Sequence, residues 1–239
     1  MSPGTLFLVP VTLGDDGAAE LISPQVRARV CALGYFIVEE PKRARAFLKD
    51  LGHPKPLSEL RFEKLDADAD EATIDRLLAP VLEGTDVAVL SAAGAPAIAD
   101  PGALVVRHAH RAGVRVVPLV GPSAILLALM ASGLEGQRFV FHGYLPVEEG
   151  ALRERLRALE ADSRRERRTE IFIETPYRND RLLRIVIATC APDCLLCVAA
   201  ALTLPGESIA TRTIAEWRAR SPTIGKQPAV FLLLAAERH

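Results

Sequence analysis

Ser91-Ala92-Ala93-Gly94-Ala95-Pro96-Ala97-Ile98-Ala99-Asp100-Pro101-Gly102 joins an apolar run to a helical one almost entirely through small side chains. Upstream, residues 86–90 (Asp-Val-Ala-Val-Leu) read as a short buried strand. Downstream, residues 103–112 read as a helix, with Asp100 as its N-cap and Pro101 at its first position. The segment therefore sits at the carboxyl end of a strand, the edge where open α/β sheets bind ligands. Glycine and alanine there let backbone amides approach a ligand that larger side chains would hold off.

Working outward, three further strand ends have the same character. Gly121-Pro122-Ser123-Ala124 follows the apolar strand 114–120, Glu174-Thr175-Pro176-Tyr177-Arg178 follows residues 169–173, and the amino-terminal strand breaks at Pro10 before Gly14-Asp15-Asp16. Between them the pattern alternates: strand 5–10, helix 24–33, strand 35–40, helix 42–51, helix 70–83, strand 86–91, helix 101–112, strand 114–120. Such βα alternation predicts a mainly parallel sheet covered on both faces. The second half reads as helix 123–131, strand 138–144, helix 148–161, strand 169–174, helix 179–189 and strand 194–201. Segments 207–217 and 229–236 follow with no helix expected between them, which fits an antiparallel pair. Gly121-Pro122 punctuates the chain, so the expected domains are residues 1–120 and 121–239.

With 239 residues, 49% of them hydrophobic, the chain can bury substantial cores. No apolar run reaches the 18 residues of a membrane span, and residues 6–10 are too short for a signal-peptide core, so a cytoplasmic location without membrane contact is expected. Cys31, Cys190, Cys194 and Cys197 do not form a disulfide framework. Cys194 and Cys197 have the spacing of half a zinc site, yet residues three apart on a strand face opposite ways, so small buried thiols and no metal are expected.

The formal net charge of −1 does not announce a nucleic-acid binder. Charge is uneven, however. Arg153, Arg155, Arg157, Arg164, Arg165, Arg167 and Arg168 outnumber the acids Glu154, Glu160, Asp162 and Glu166, and Lys42, Arg43, Arg45 and Lys49 share another helix. Two readings stand: solvated helix faces laced by i,i+4 pairs, or phosphate contacts to RNA with steep salt dependence.

The loop at 91–102, Val117-Pro118-Leu119-Val120-Gly121-Pro122-Ser123-Ala124, Ala131-Ser132-Gly133-Leu134, residues 139–146 and Glu174-Thr175-Pro176 together resemble the tetrapyrrole methylase superfamily. These are S-adenosylmethionine (SAM) dependent methyltransferases. The branch resembled is the ribosomal small-subunit methyltransferase I type, which methylates a cytidine ribose 2′-hydroxyl in rRNA. The resemblance implies two α/β domains, with a mainly parallel N-terminal sheet, a mixed C-terminal sheet and a SAM cleft between them. It also implies a homodimer, small-subunit RNA as partner, and a short form without the C-terminal extension of the long members. The chain departs from the pattern at Ala92 and Ala95, where an acid and a threonine are usual, at Tyr177, where histidine is usual, in residues 11–15, and at Leu202-Thr203-Leu204-Pro205.

Methyl transfer from a sulfonium is an in-line displacement, so the protein mainly positions donor and acceptor. By resemblance, SAM contact falls to Pro10, Gly94, Ala95, Ile98, Ser123 and Ala124, and further to Leu202 and Ala229. A hydroxyl acceptor needs a base nearby; Glu174 is the first candidate and Asp100 the second. Glu174 equally fits a helix-start acid or a salt bridge to Arg178, whereas Asp100 fits a plain N-cap before it fits a base. Arg178, Tyr177 and Asp15 are candidates for substrate contact, aspartate beside glycine being also ordinary turn chemistry. His142 and Tyr144 fall on one face of a strand, His142 reading as a satisfied core histidine. A nicotinamide enzyme would need Gly-x-Gly-x-x-Gly after the first strand, and none stands near Pro10. A methyltransferase acting on a tetrapyrrole or other small molecule, and a non-catalytic SAM- or RNA-binding relative, remain as alternatives.

Overall fold

The computed structural model describes residues 2–14, 19–220 and 223–236. The chain divides into two compact units, residues 1–123 and 124–239.

The first unit contains β1 (Thr5–Val9), α1 (Pro24–Cys31), β2 (Tyr35–Val38), α2 (Pro41–Asp50), β3 (Arg61–Lys64), α3 (Glu71–Leu82), β4 (Val87–Leu90), α4 (Gly102–Arg111) and β5 (Arg115–Pro118). Its strands lie in the order β3-β2-β4-β1-β5, and every pair is parallel. From β1 through β2 to β3 the chain steps one way across the sheet, and from β3 through β4 to β5 it steps back. Right-handed crossovers then place α1 and α2 on one face and α3 and α4 on the other. Strand alternation follows suit. Phe7, Val9, Phe36, Val38 and Leu90 pack with Val26, Val30, Phe47 and Leu48, while Leu6, Ile37, Val87 and Val89 pack with Ile74, Leu77, Val81 and Val105.

Strand β3 is absent from the sequence reading. Arg61-Phe62-Glu63-Lys64 has one apolar residue in four and is half-exposed or exposed throughout. At the sheet edge it needs only the backbone of β2 and tolerates charge.

The second unit contains α5 (Ala124–Ser132), β6 (Phe139–Tyr144), α6 (Glu149–Glu166), β7 (Thr169–Ile173), α7 (Asn179–Thr189), β8 (Leu195–Ala200), β9 (Ser208–Thr213), α8 (Ile214–Arg218) and β10 (Ala229–Leu234). The order is β6-β7-β10-β8-β9. Only β6 and β7 are parallel; the other pairs are antiparallel. Helices α6, α7 and α8 cover one face around Phe172, Leu196, Val198 and Phe231.

Two expectations are corrected here. The segments expected to form the last antiparallel pair do not pair, because β8 lies between β9 and β10 and a short helix follows β9. Thr213 and Glu216 form a capping box that starts α8. Second, β6 carries a bulge: Phe141 pairs with Ile171 but Tyr144 with Ile173, so three steps on β6 match two on β7. Gly143, at φ +65°, accommodates the extra residue. Tyr144 is thereby moved to the face of Phe141, away from His142.

Candidate functional site

In the first unit, parallel strands bring all carboxyl ends to one edge, and β1, stationed between β4 and β5, gathers three loops. The backbone N–H of Val11 donates to the Gly94 carbonyl at 2.9 Å. A Cβ on Gly121 would lie 2.4 Å from Cγ of Pro10, and one on Gly94 would lie 3.0 Å from Cδ2 of Leu13. Glycine at these two points is therefore what lets the loops touch. Ser91 Oγ donates to the Gly94 carbonyl at 3.0 Å.

Asp100 closes the same loop. Its Oδ1 accepts from the backbone N–H of Ala97 at 2.8 Å and of Gly102 at 2.7 Å. The second bond goes to the first helical N–H of α4, which starts at Gly102 with Pro101 as its N-cap, so the expectation of Asp100 as N-cap and Pro101 as first helical residue is corrected by one position. Between these bonds Ala97 and Ala99 stand at φ +67° and +61°, a conformation that costs a non-glycine residue on the order of 1–3 kcal/mol and that clusters at ligand sites. Burial pushes the Asp100 carboxyl above its ordinary pKa, the two amide bonds oppose this, and nearby Glu39 adds to the rise. Glu39 is itself fixed, accepting from the Ala92 N–H at 2.9 Å. Ile98 is exposed and Gly94 buried.

In the second unit β7 and β8 both oppose β10 and so run the same way, and β6 runs with β7. Their carboxyl ends share an edge with the start of β10. There the Glu174 side chain, 6% exposed, accepts from Nη2 of Arg178 at 2.9 Å and from the backbone N–H of Thr175 at 2.6 Å. The salt bridge weighed against a catalytic role is thus present. Arg178 lies over the Tyr177 ring, 5.1 Å from its centroid. Leu202 and Ala229 are buried. Leu202 is flanked by Ala201 and Thr203, both at positive φ, and Ala201 N–H donates to the Pro228 carbonyl at 2.8 Å. Asn179, fully buried, donates through Nδ2 to the Gln227 carbonyl at 2.7 Å.

Among the described residues, the buried side-chain polar atoms without a hydrogen-bond partner are Asp100 Oδ2, Arg178 Nε, Asn179 Oδ1 and Thr203 Oγ1. All four lie in or directly beside strand-end loops. Buried polar atoms are normally satisfied, so this coincidence marks the loops as places where a ligand or ordered water completes the bonding. Asn179 and Thr203 escape the sequence reading, Asn179 because a helix start explains it and Thr203 because its loop departs from the family pattern. Ser123 ends the first unit and Ala124 opens the second. Asp15 lies outside the described residues.

The arginine-rich helix α6 is largely paired with its own unit. Arg153 bonds Glu149, Arg164 bonds Glu160 and Arg165 bonds Asp162. Arg168 Nε donates to the fully buried Glu170 at 2.7 Å. Glu170 also takes Nε2 of His142 at 2.5 Å, and Nδ1 of His142 accepts from Arg155 at 3.0 Å, so His142 is a satisfied histidine. On α2, Lys42 and Arg43 line a cavity of about 410 Å³ with Val11, Ser91 and Ala92, while Arg45 stacks 4.4 Å over Phe62.

Cys190, Cys194 and Cys197 are buried; burial pushes the first thiol up to about 12 and the second to about 11, which keeps them protonated and unreactive. Among the described residues no cluster of three or more His, Cys, Asp or Glu is placed to hold a metal, and no helix is long and apolar enough to cross a membrane.

Comparison with known proteins adds four matches. A family model described as Tetrapyrrole (Corrin/Porphyrin) Methylases matches residues 9–217. A protein named Ribosomal RNA small subunit methyltransferase I from Xylella fastidiosa is 35% identical over 192 residues, 80% of this chain and 63% of that protein. One of the same name from Pseudomonas aeruginosa is 36% identical over 180 residues, 74% of this chain and 59% of that protein. The chain thus spans about three fifths of the length of these relatives. The crystal structure of the methyltransferase CobJ matches with a TM-score of 0.64 over 98% of this chain and 95% of that chain, at 23% identity, a likeness of fold.

Proposed function

Because this chain belongs to the tetrapyrrole (corrin/porphyrin) methylase family, we propose that it is a SAM-dependent methyltransferase acting on a ribose 2′-hydroxyl of small-subunit rRNA. The observation that carries this reading is that, among the described residues, each unpartnered buried side-chain polar atom lies in or beside a strand-end loop of its own unit, in a chain whose relatives are named as rRNA methyltransferases. Strained small residues at Ala97, Ala99 and Ala201 support it, since they bring backbone close to whatever the loops hold.

SAM supplies an electrophilic methyl group. The residues that would hold it are Pro10, Gly94, Ala95, Ile98 and Ser123 of the first unit and Ala124, Leu202 and Ala229 of the second. Thr203 Oγ1 and Asn179 Oδ1 offer polar contacts beside Leu202 and Ala229. Asp100 fixes the 91–102 loop through two amides and so positions Gly94 and Ala95. Glu174 takes the proton of the acceptor hydroxyl, and its pairing with Arg178 aims the carboxylate. Arg178 and Tyr177 face the RNA. The protein works in the cytoplasm as a homodimer.

Calorimetric titration with SAM, followed by transfer of radiolabelled methyl to small ribosomal subunits lacking the modification, tests the reading. Binding with label in the ribose 2′ position is the expected result. Binding without transfer to any RNA would make the chain a non-catalytic relative or direct attention to a small-molecule acceptor, and no SAM binding would end the proposal.

A further inference from the structure

Aromatic side chains are scarce in this protein, at 5% of residues; most are buried or half-buried, and Phe139, at 39%, is the next most exposed after Tyr144 and Tyr177. Tyr35 and Trp217 are 4% and 5% exposed, whereas Tyr144 and Tyr177 are 59% and 70% exposed. These two stand at the carboxyl ends of neighbouring parallel strands: Tyr144 pairs with Ile173, and Tyr177 follows four residues later. Arg178 joins them. Its guanidinium is pinned by Glu174, covers the Tyr177 ring, and lies within electrostatic range of the Tyr144 side chain.

The placement of Tyr144 is itself built. Regular alternation would turn it to the face of His142, which α6 covers. The extra residue at His142-Gly143 turns it outward instead. An outward tyrosine gains nothing for the core, and exposed tyrosine beside a fixed arginine is the equipment with which proteins stack unpaired bases.

We infer that Tyr144, Tyr177 and Arg178 form a stacking platform for unpaired bases of a single-stranded RNA segment, which selects unstructured RNA at the site. The inference rests on the RNA reading given above. Planar side chains accept any base, so the platform holds the strand while neighbouring contacts choose the nucleotide. Helix α6, whose Arg153, Arg164 and Arg165 are paired with its own acids, is not required for this grip.

The test uses single-stranded RNA carrying 2-aminopurine, whose fluorescence is quenched on stacking, with the full chain and its variants Y144A, Y177A, Y144F and Y177F. Wild type quenches the probe on binding. Each alanine variant binds roughly 5- to 100-fold more weakly with reduced quenching, each phenylalanine variant is restored, and thermal melting is unchanged because both side chains are exposed. Alanine variants that bind and quench as wild type does would overturn the platform while leaving the RNA reading intact. Alanine variants that instead convert a dimer to a monomer, with RNA affinity unchanged, would show this face to be a contact between copies and overturn it too. Wild type that binds SAM but no RNA would overturn both readings together.

Discussion

The carboxylate of Asp100 accepts the backbone N–H of Ala97 at 2.8 Å and so closes the 91–102 loop across two alanines held in the left-handed region. Only Oδ1 makes this bond and the bond to the Gly102 N–H, and burial raises the pKa of the group. A raised folded pKa contributes stability that is complete below the unfolded carboxylate pKa and is lost as pH rises through the folded value. Ionised Asp100 is therefore a burden at neutral pH that Asn would not carry, because an Asn oxygen still accepts both amides. D100N is expected to melt at or above the wild-type temperature at neutral pH, the difference closing in acid. D100A loses both bonds and about 0.5–2 kcal/mol. Melting curves across pH check this; a D100N variant destabilised most at neutral pH would show that the charge itself is wanted there.

Glu174 and Arg178 face a different demand. Gln at 174 can still accept from the Thr175 N–H, so E174Q is expected to remain folded and to bind SAM as wild type does. If Glu174 takes the acceptor proton, turnover falls by about 10²- to 10⁴-fold. Rapid-mixing transfer under single-turnover conditions is the measurement. A rate equal to wild type would leave Glu174 as the anchor of Arg178 and nothing more.

The buried acid Glu170 is predicted to be structural. It receives Arg168 and His142 with no exposed surface of its own, and His142 donates from Nε2 while accepting Arg155 at Nδ1. E170A leaves the largely buried His142 donor without its acceptor and releases Arg168, which is 25% exposed, and is expected to lose about 1–3 kcal/mol in urea unfolding. SAM affinity should survive in the folded fraction.

How far the sequence speaks for itself follows from where the information sits. The parallel sheet was legible because β1, β2, β4 and their helices are apolar on schedule, and the 91–102 loop because so many adjacent small residues have few other uses. Strand β3 was not, since an edge strand of Arg-Phe-Glu-Lys draws its stability from the backbone of β2, which leaves no trace in side-chain pattern. The pairing of β9 and β10 with β8 rather than with each other is likewise a long-range choice. At the candidate site, Glu174 and Arg178 were legible as neighbours in sequence, and their ion pair was one of two readings. Asn179 Oδ1 and Thr203 Oγ1 became visible only through burial. The outward turn of Tyr144 depends on a one-residue bulge that alternation alone cannot reveal.

Gly121 offers a separation of loop contact from backbone strain. An added Cβ there meets Pro10 at 2.4 Å, so the loops after β1 and β5 must part. Gly113, by contrast, stands at φ +71° with open space around it, and alanine there meets only the left-handed penalty of about 1–2 kcal/mol. G121A is expected to lose about 1–3 kcal/mol by overpacking and, because the parted loops carry Pro10 and Ser123, to weaken SAM binding measurably. G113A loses comparable stability and leaves SAM binding unchanged, since it lies after α4, on the way into β5 and away from the strand-end loops. Calorimetric titration of both variants decides the matter: equal affinities would mean that the contact of Pro10 with Gly121 serves packing alone, and that the SAM contacts assigned to these two loops belong elsewhere.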